Sequence, residues 1–172
     1  RNSELRSRLN ILNNKAEENE LLLAKTQSLI LKLLDANSLS KLAKNLLMGL
    51  QDDFSIEFCS LILFGERQKI SGARFTDYDQ AEKEIASLLK TEILCGAVRD
   101  NELKFLFGKE SSSVGSIAAI VIKLDKPLGV LSIGHRDANF YTPETGTMFL
   151  SYLGNVLNRL LGSFITLKEA SN

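Results

Sequence analysis

Apolar residues open the chain in alternating steps of four and three. Leu5, Leu9, Leu12, Ala16, Leu23, Ile30 and Leu33 form one seam, with Asn19 and Thr26 inside it and Asn37 at its end. Residues 1–48 contain neither proline nor glycine. A heptad held over about four repeats predicts a coiled-coil helix, and the polar seam positions help to fix its register. Leu21, Leu22, Leu29 and Leu34 fall off the seam and widen the apolar face. A widened face predicts either more than two helices packing together or docking onto the adjoining domain. The competing reading is a single amphipathic helix lying on its own domain. Residues 5–37, fully helical, span on the order of 50 Å, so part of the arm is expected to project. The division expected is an N-terminal coiled-coil helix at 1–37 and a domain at 38–172.

The domain begins with a second helical stripe, Leu39, Leu42, Ala43, Leu46, Leu47 and Leu50, with Asn37 and Ser38 as its caps. A strand is predicted over 54–64. Both of its faces are apolar toward its end, which places it centrally and covered on both sides. A short polar edge strand comes next at 67–70, then a helix from a Thr76 or Asp77 cap to Lys90. A short strand at 92–95 is stopped by Gly96. Residues 101–107 read as a brief helix closed by Gly108, or alternatively as a strand. Residues 116–123 and 128–134 form the clearest hairpin, with 124–127 as its turn and Pro127 at a strand edge. Thr142 and Pro143 then start a last helix, running from Glu144 to about Lys168.

Adjacent strands joined by a short turn pair antiparallel. The helices on either side of the sheet in sequence suit one of its faces, and the glycine- and serine-broken segment 74–113 is left for the other. The fold class expected is α+β: a central antiparallel sheet with helices on both faces, preceded by the long N-terminal helix.

Composition changes this picture little. Of 172 residues 44% are hydrophobic, enough for a core, and 21 basic residues balance 21 acidic ones. A net charge of zero gives no global attraction to nucleic acid or an anionic membrane. No run reaches the apolar length of a membrane span. Cys59 and Cys95 form no CxxC pair, which fits a reducing cytoplasm. The chain begins at Arg1 without a methionine, as a fragment would.

Several strings resemble the GAF domain. More closely, they resemble a bacterial GAF-like family known as domain of unknown function 484. These are Cys59 to Gly65, Leu94-Cys95-Gly96, Leu106-Phe107-Gly108, Val114-Gly115-Ser116, and Leu128 to Gly134. Asp137 to Phe140 with Pro143, Gly146-Thr147, Phe149-Leu150 and Leu153-Gly154 complete the set. The resemblance implies a sensor-like fold, often dimeric, with a cavity between the sheet and the middle segment. It supplies no ligand and calls for no cofactor.

The residues offer no catalytic constellation. His135, the single histidine, would have to serve any zinc site, triad or Cys–His pair, and it reads as a surface loop residue. Cys59 reads as a buried small hydrophobe; Cys95 is open to redox sensing or plain packing. Ser111-Ser112-Ser113 lacks the lysine and glycine spacing of a phosphate loop and reads as a flexible loop or cavity lid. Asp52, Asp53, Asp77, Asp79, Glu82 and Glu84 lie at helix starts, where capping and solvation explain them. The expectation is therefore a non-enzymatic sensor. It dimerises through Leu5, Leu9, Leu12, Ala16, Leu23, Ile30 and Leu33 and signals to a separate output protein. The alternative is an interaction scaffold with an empty pocket. The candidate pocket is Phe58, Ser60, Ile62 and Phe64 from the central strand, Cys95, Phe105 and Phe107 from its cover, and Ser132 from the return strand. A one-residue slip would turn the opposite register inward, and the aromatics equally fit a filled core.

Overall fold

The computed structural model describes residues 2–66, 68, 70, 72–143 and 148–171. A 33-residue helix, α1 (Asn2–Leu34), turns back into α2 (Leu39–Phe54). The Ser38 hydroxyl caps α2 by accepting a hydrogen bond from the Lys41 amide at 3.1 Å. The strands are β1 (Phe58–Phe64), β2 (Ala73–Thr76), β3 (Ile93–Gly96), β4 (Ser116–Lys123) and β5 (Pro127–His135). Between them lie α3 (Tyr78–Thr91), α4 (Asp100–Phe107) and a 3-10 turn (Gly108–Ser113), and α5 (Met148–Ser171) ends the chain. The expected start of that last helix, 144–147, lies outside the described residues, as do the expected edge-strand positions Arg67 and Lys69.

The five strands run in the order β2-β1-β5-β4-β3. The β4–β5 hairpin, the β1–β5 pair and the β3–β4 pair are antiparallel. The α+β architecture expected from the sequence is therefore present, with one correction at an edge. The edge strand is Ala73–Thr76, and it runs parallel to β1, with Leu61 opposite Ala73 and Phe64 opposite Thr76. A parallel neighbour normally needs a long crossover. Here β2 pairs only with the last four residues of β1, so a short loop suffices to bring the chain back.

A second correction concerns where β1 begins. Helix α2 continues through the two aspartates to Phe54, and the strand starts at Phe58. Asp53 is tolerated near the helix end because Lys32 of α1 pairs with it at 2.9 Å. Ser55, in the left-handed region at φ 52, then ends the helix by donating its amide to the Leu50 carbonyl.

Alternation sorts the sheet side chains into two cores. One face carries Leu61, Leu63, Ala118, Ile120, Leu131 and Ile133 against α1, α2 and α5. The other carries Phe58, Ile62, Ile117, Ala119, Val121 and Val130 against Ala81, Ile85 and Leu88 of α3 and Leu106 and Phe107 of α4. The terminal helices thus share one face and the middle segment takes the other, as expected.

The last turns of α1 are part of the first core. Thr26, Leu29, Leu33 and Ala36 are buried at helical spacing. Gly49 of α2 makes the close approach possible, because a Cβ there would stand 2.4 Å from Leu29 Cδ1. The Asn45 side-chain amide also donates to the Lys32 carbonyl at 2.9 Å. Of the expected seam, Leu33 is buried in its own domain, Ile30 is half-buried, and Leu5 and Leu23 are exposed. The side chains of Leu9, Leu12 and Ala16 lie outside the described residues.

Candidate cleft at the sheet edge

The α3–α4 face is where the second core thins out. The sheet's outer rows on that face carry large side chains, with Gly134 the exception between Phe58 and Ile117. Phe58, Gly134 and Ile117 face Phe107 and Val114, and Ile62, Val130 and Val121 lie at the other end. The row between them is small: Ser60 pairs with Ser132, and Ser132 with Ala119. Gly134 lets Phe107 come close, since a Cβ there would meet the Phe107 ring at 3.2 Å.

At the open edge of this face lies a cleft of about 300 Å³, lined by Ile62, Arg74, Phe75, Thr76, Lys104 and Phe105. It separates the β1–β2 edge from α4. Helix α4 is set in place at both ends. At its start Glu102 Oε1 accepts the Arg99 amide at 3.2 Å, which makes Arg99, not Asp100, the capping position. At its end Gly108, at φ 61, returns its amide to the Lys104 carbonyl.

Arg74 ties the two walls together. Its Nη2 donates to Ser60 Oγ at 3.1 Å, to the Phe105 carbonyl at 2.9 Å, and to the Leu106 carbonyl. These carbonyls end α4, where the helix dipole favours a cation. The residue as a whole stays exposed at the rim, while partial burial of its guanidinium pulls its pKa down. Beside this bond network, Ser132 Oγ is buried and accepts or donates no hydrogen bond among the described residues.

Of the residues named from sequence, Ile62 and Phe105 line the cleft, and Ser60 joins it through Arg74. Ser132 neighbours Ser60 on the same face. Phe58 and Phe107 are buried in the second core. Phe64 meets the Tyr78 ring edge-on at 5.6 Å. Cys95 is not brought in. The β3 register pairs it with Ala118, so it points to the opposite face and packs on the first core. There Cys59, Cys95 and Tyr141 are close enough to influence one another. Burial, with a smaller contribution from Glu110, pushes the Cys59 thiol up to about 12, and burial raises Cys95 as well. Neither environment favours the thiolate that redox chemistry needs.

The sequence reading missed Arg74, Phe75, Thr76 and Lys104. The available signal was the alternation in Ala73-Arg74-Phe75-Thr76, which places a cation on the inward face of a short edge strand.

A wider cleft of about 390 Å³ lies at the far edge, where Ile93 and Ile120 meet Asn155 and Asn158 of α5. Its charged groups are paired with each other: Lys123 meets Glu92 at 2.9 Å, and Asn158 Oδ1 accepts the Lys123 amide at 2.8 Å. His135 is likewise occupied locally. Its ring stacks on Phe140 at 3.8 Å, and its Nδ1 accepts the Asp137 amide at 2.9 Å. Among the described residues, no three His, Cys, Asp or Glu side chains are grouped to hold a metal. No described helix is long and apolar enough to cross a membrane.

This architecture is that of a GAF domain. The GAF domain of an Acinetobacter phosphoenolpyruvate-protein phosphotransferase superposes with a TM-score of 0.62 at 16% identity, covering 86% of this chain and 96% of that one. The A. aeolicus nlh2 GAF domain in an inactive state superposes with a TM-score of 0.53 at 13% identity, covering 87% of this chain and 98% of that one. At such identities the likeness is one of fold. The chain itself belongs to the family described as protein of unknown function, DUF484, which matches residues 1–166. No curated protein matches it.

Proposed function

We propose that this protein is a non-enzymatic regulatory domain that binds a small molecule in the Arg74 cleft and dimerises through α1. The observation that carries the reading is the cleft itself. It is a concavity of about 300 Å³ with apolar walls and a few convergent polar groups, opening between the sheet and α4 of a GAF fold. That volume lies at the lower end of the range for small-molecule sites, about 300–1,000 Å³. The packing of Phe58 and Phe107 confines a ligand to the sheet edge. For dimerisation, support comes from the exposed leucines of α1: Leu5, Leu21, Leu23, Leu31 and Leu34. Apolar area of that extent on a helix is a docking face for a second copy. The signal then leaves through a separate output protein in the cytoplasm.

Native mass spectrometry of the protein purified from its own host tests both halves. A stoichiometric small molecule on a dimer is the expected result. A monomer at tens of micromolar would refute the dimer. A reproducibly empty domain that co-purifies with another protein would favour the second reading, an interaction scaffold, which the filled core around Phe58 and Phe107 supports.

A further inference from the structure

Arg74 and Lys104 both line the cleft, and among the described residues no carboxylate does. Among the described residues neither forms an ion pair. All three hydrogen bonds of Arg74 leave from Nη2. Its Nη1 and Nε hydrogen-bond to nothing among the described residues, although a guanidinium carries five N–H donors in a fixed fork. Two cations line one concavity without a counter-charge among the described residues, which an entering anion would supply. The bonds to Ser60 and to the carbonyls of Phe105 and Leu106 hold the guanidinium in place, so little side-chain entropy is lost when its remaining N–H groups meet a ligand.

Ser132 Oγ is fully buried and unpartnered, directly across the strand pair from the Ser60 that Arg74 bonds. Facing residues in such a pair have Cβ atoms about 5 Å apart, so this hydroxyl lies beside Ser60, behind the residues that line the cleft. Ile62 and Phe105 supply the apolar walls.

We propose that the ligand of this cleft carries an anionic oxygen head, a carboxylate or a phosphate, which Arg74 and Lys104 receive together while Ile62 and Phe105 hold its apolar part. The proposal rests on the reading of the cleft as a ligand site and adds the chemical class. The unengaged N–H groups on Nη1 and Nε of Arg74 diverge, with Cδ between them, so each can give the head a single charge-assisted hydrogen bond while the guanidinium acts as a fixed positive charge. Lys104, on the same short helix whose terminal carbonyls Arg74 caps, adds a mobile point charge.

The test is an amide NMR titration of the full chain with three probes: inorganic phosphate, succinate and neutral indole. Phosphate or succinate is expected to shift the amides of Arg74, Thr76 and Phe105. Lys104→Gln, a change at an exposed site with no part in the fold, is expected to weaken that binding about fivefold, and Arg74→Lys about tenfold. Lys41→Gln, at an exposed lysine on α2, is expected to leave it unchanged. Preference for phosphate over succinate assigns a phosphoryl head and the reverse a carboxylate; both support the proposal. Anion binding equally weakened by Lys41→Gln, or unmoved by Lys104→Gln and Arg74→Lys, overturns it. Indole shifting Ile62 and Phe105 while neither anion binds overturns the anionic class and leaves the ligand cleft standing. No response to any of the three overturns both.

Discussion

Leu33→Ala is the most informative single change in the arm. Leu33 is 0% exposed, packed with Leu29 against α2 and α5, whereas Leu23, earlier on the same seam, is 57% exposed. Truncating a fully buried leucine removes its transfer energy and leaves a cavity, together about 3 kcal/mol within a usual span of about 2–5. For a chain of this size each kcal/mol lowers the midpoint of thermal unfolding by about 2–4 °C, so Leu33→Ala is expected to lower it by about 6–12 °C. Leu23→Ala, truncating a mostly solvated side chain, is expected to stay within about 0.5 kcal/mol in dilute protein. Urea unfolding detected by circular dichroism, run at several protein concentrations, separates the two roles. The Leu33→Ala loss should be present at every concentration. A cost for Leu23→Ala that grows with concentration would be the signature of helix pairing through the exposed face. Leu33→Ala within about 0.5 kcal/mol of the parent, or Leu23→Ala as costly as Leu33→Ala in dilute protein, would refute the assignment of the last turns of α1 to the core.

Three further outcomes each turn on a single group. Gly49→Ala is expected to cost about 1–3 kcal/mol in urea unfolding, because the new methyl meets Leu29 Cδ1 at 2.4 Å; a neutral result would mean that α1 and α2 separate freely. Ser132→Ala is expected to raise stability by about 1 kcal/mol, since it removes a buried hydroxyl with no partner among the described residues; a clear loss would show that the hydroxyl is hydrogen-bonded in solution. Alkaline pH is expected to destabilise the fold. Cys59 and Tyr141 are pushed up to about 12 from 9.0 and 10.0, so the folded state keeps protons that the unfolded chain releases. Stability is therefore full below pH 9 and is lost between 9 and 12, and Cys59→Ala should flatten the first part of that fall. A flat profile in the parent would refute the burial of both groups.

The parts of the fold legible in the sequence are those where one local signal had no rival. The β4–β5 hairpin carried alternation on both arms and Pro127 at the turn, and Ser38 stood directly before a clean helical stripe. Where two patterns overlapped, tertiary contacts decided. Helix α1 holds enough leucines to write a heptad through Leu23, Ile30 and Leu33 and also a stripe through Thr26, Leu29 and Leu33, which Ala36 just past its end continues, and the domain buries the second. The run from Phe54 read as strand because Ile56 and Phe58 alternate with polar neighbours and lead into an apolar stretch. The left-handed turn at Ser55 comes from the α2 end and its Lys32–Asp53 pair, which are contacts distant in sequence. The cleft was half legible. Alternation along β1 grouped Phe58, Ser60, Ile62 and Phe64 correctly, but Cys95 depended on the β3 register, which a four-residue strand does not announce. Arg74 and Lys104 were invisible as partners because they come from elements far apart in the chain, joined through a sheet edge whose parallel pairing no local pattern specified.

The Arg74 hydrogen bonds also bear on how the molecule breathes. Strand β2 is held to the sheet by four residues of pairing on one side, and among the described residues no strand lies on its other side. Helix α4 is about two turns long, too short to persist without support. One guanidinium fastens each to the other, so the amides of Arg74 to Thr76 and those of the last turn of α4 should exchange with solvent in a single event rather than independently. The rim would then open as a hinged plate while the β4–β5 hairpin stays shut. A ligand gripping that guanidinium would slow the exchange of both segments together, an effect that hydrogen–deuterium exchange reads even where no atom changes its mean position.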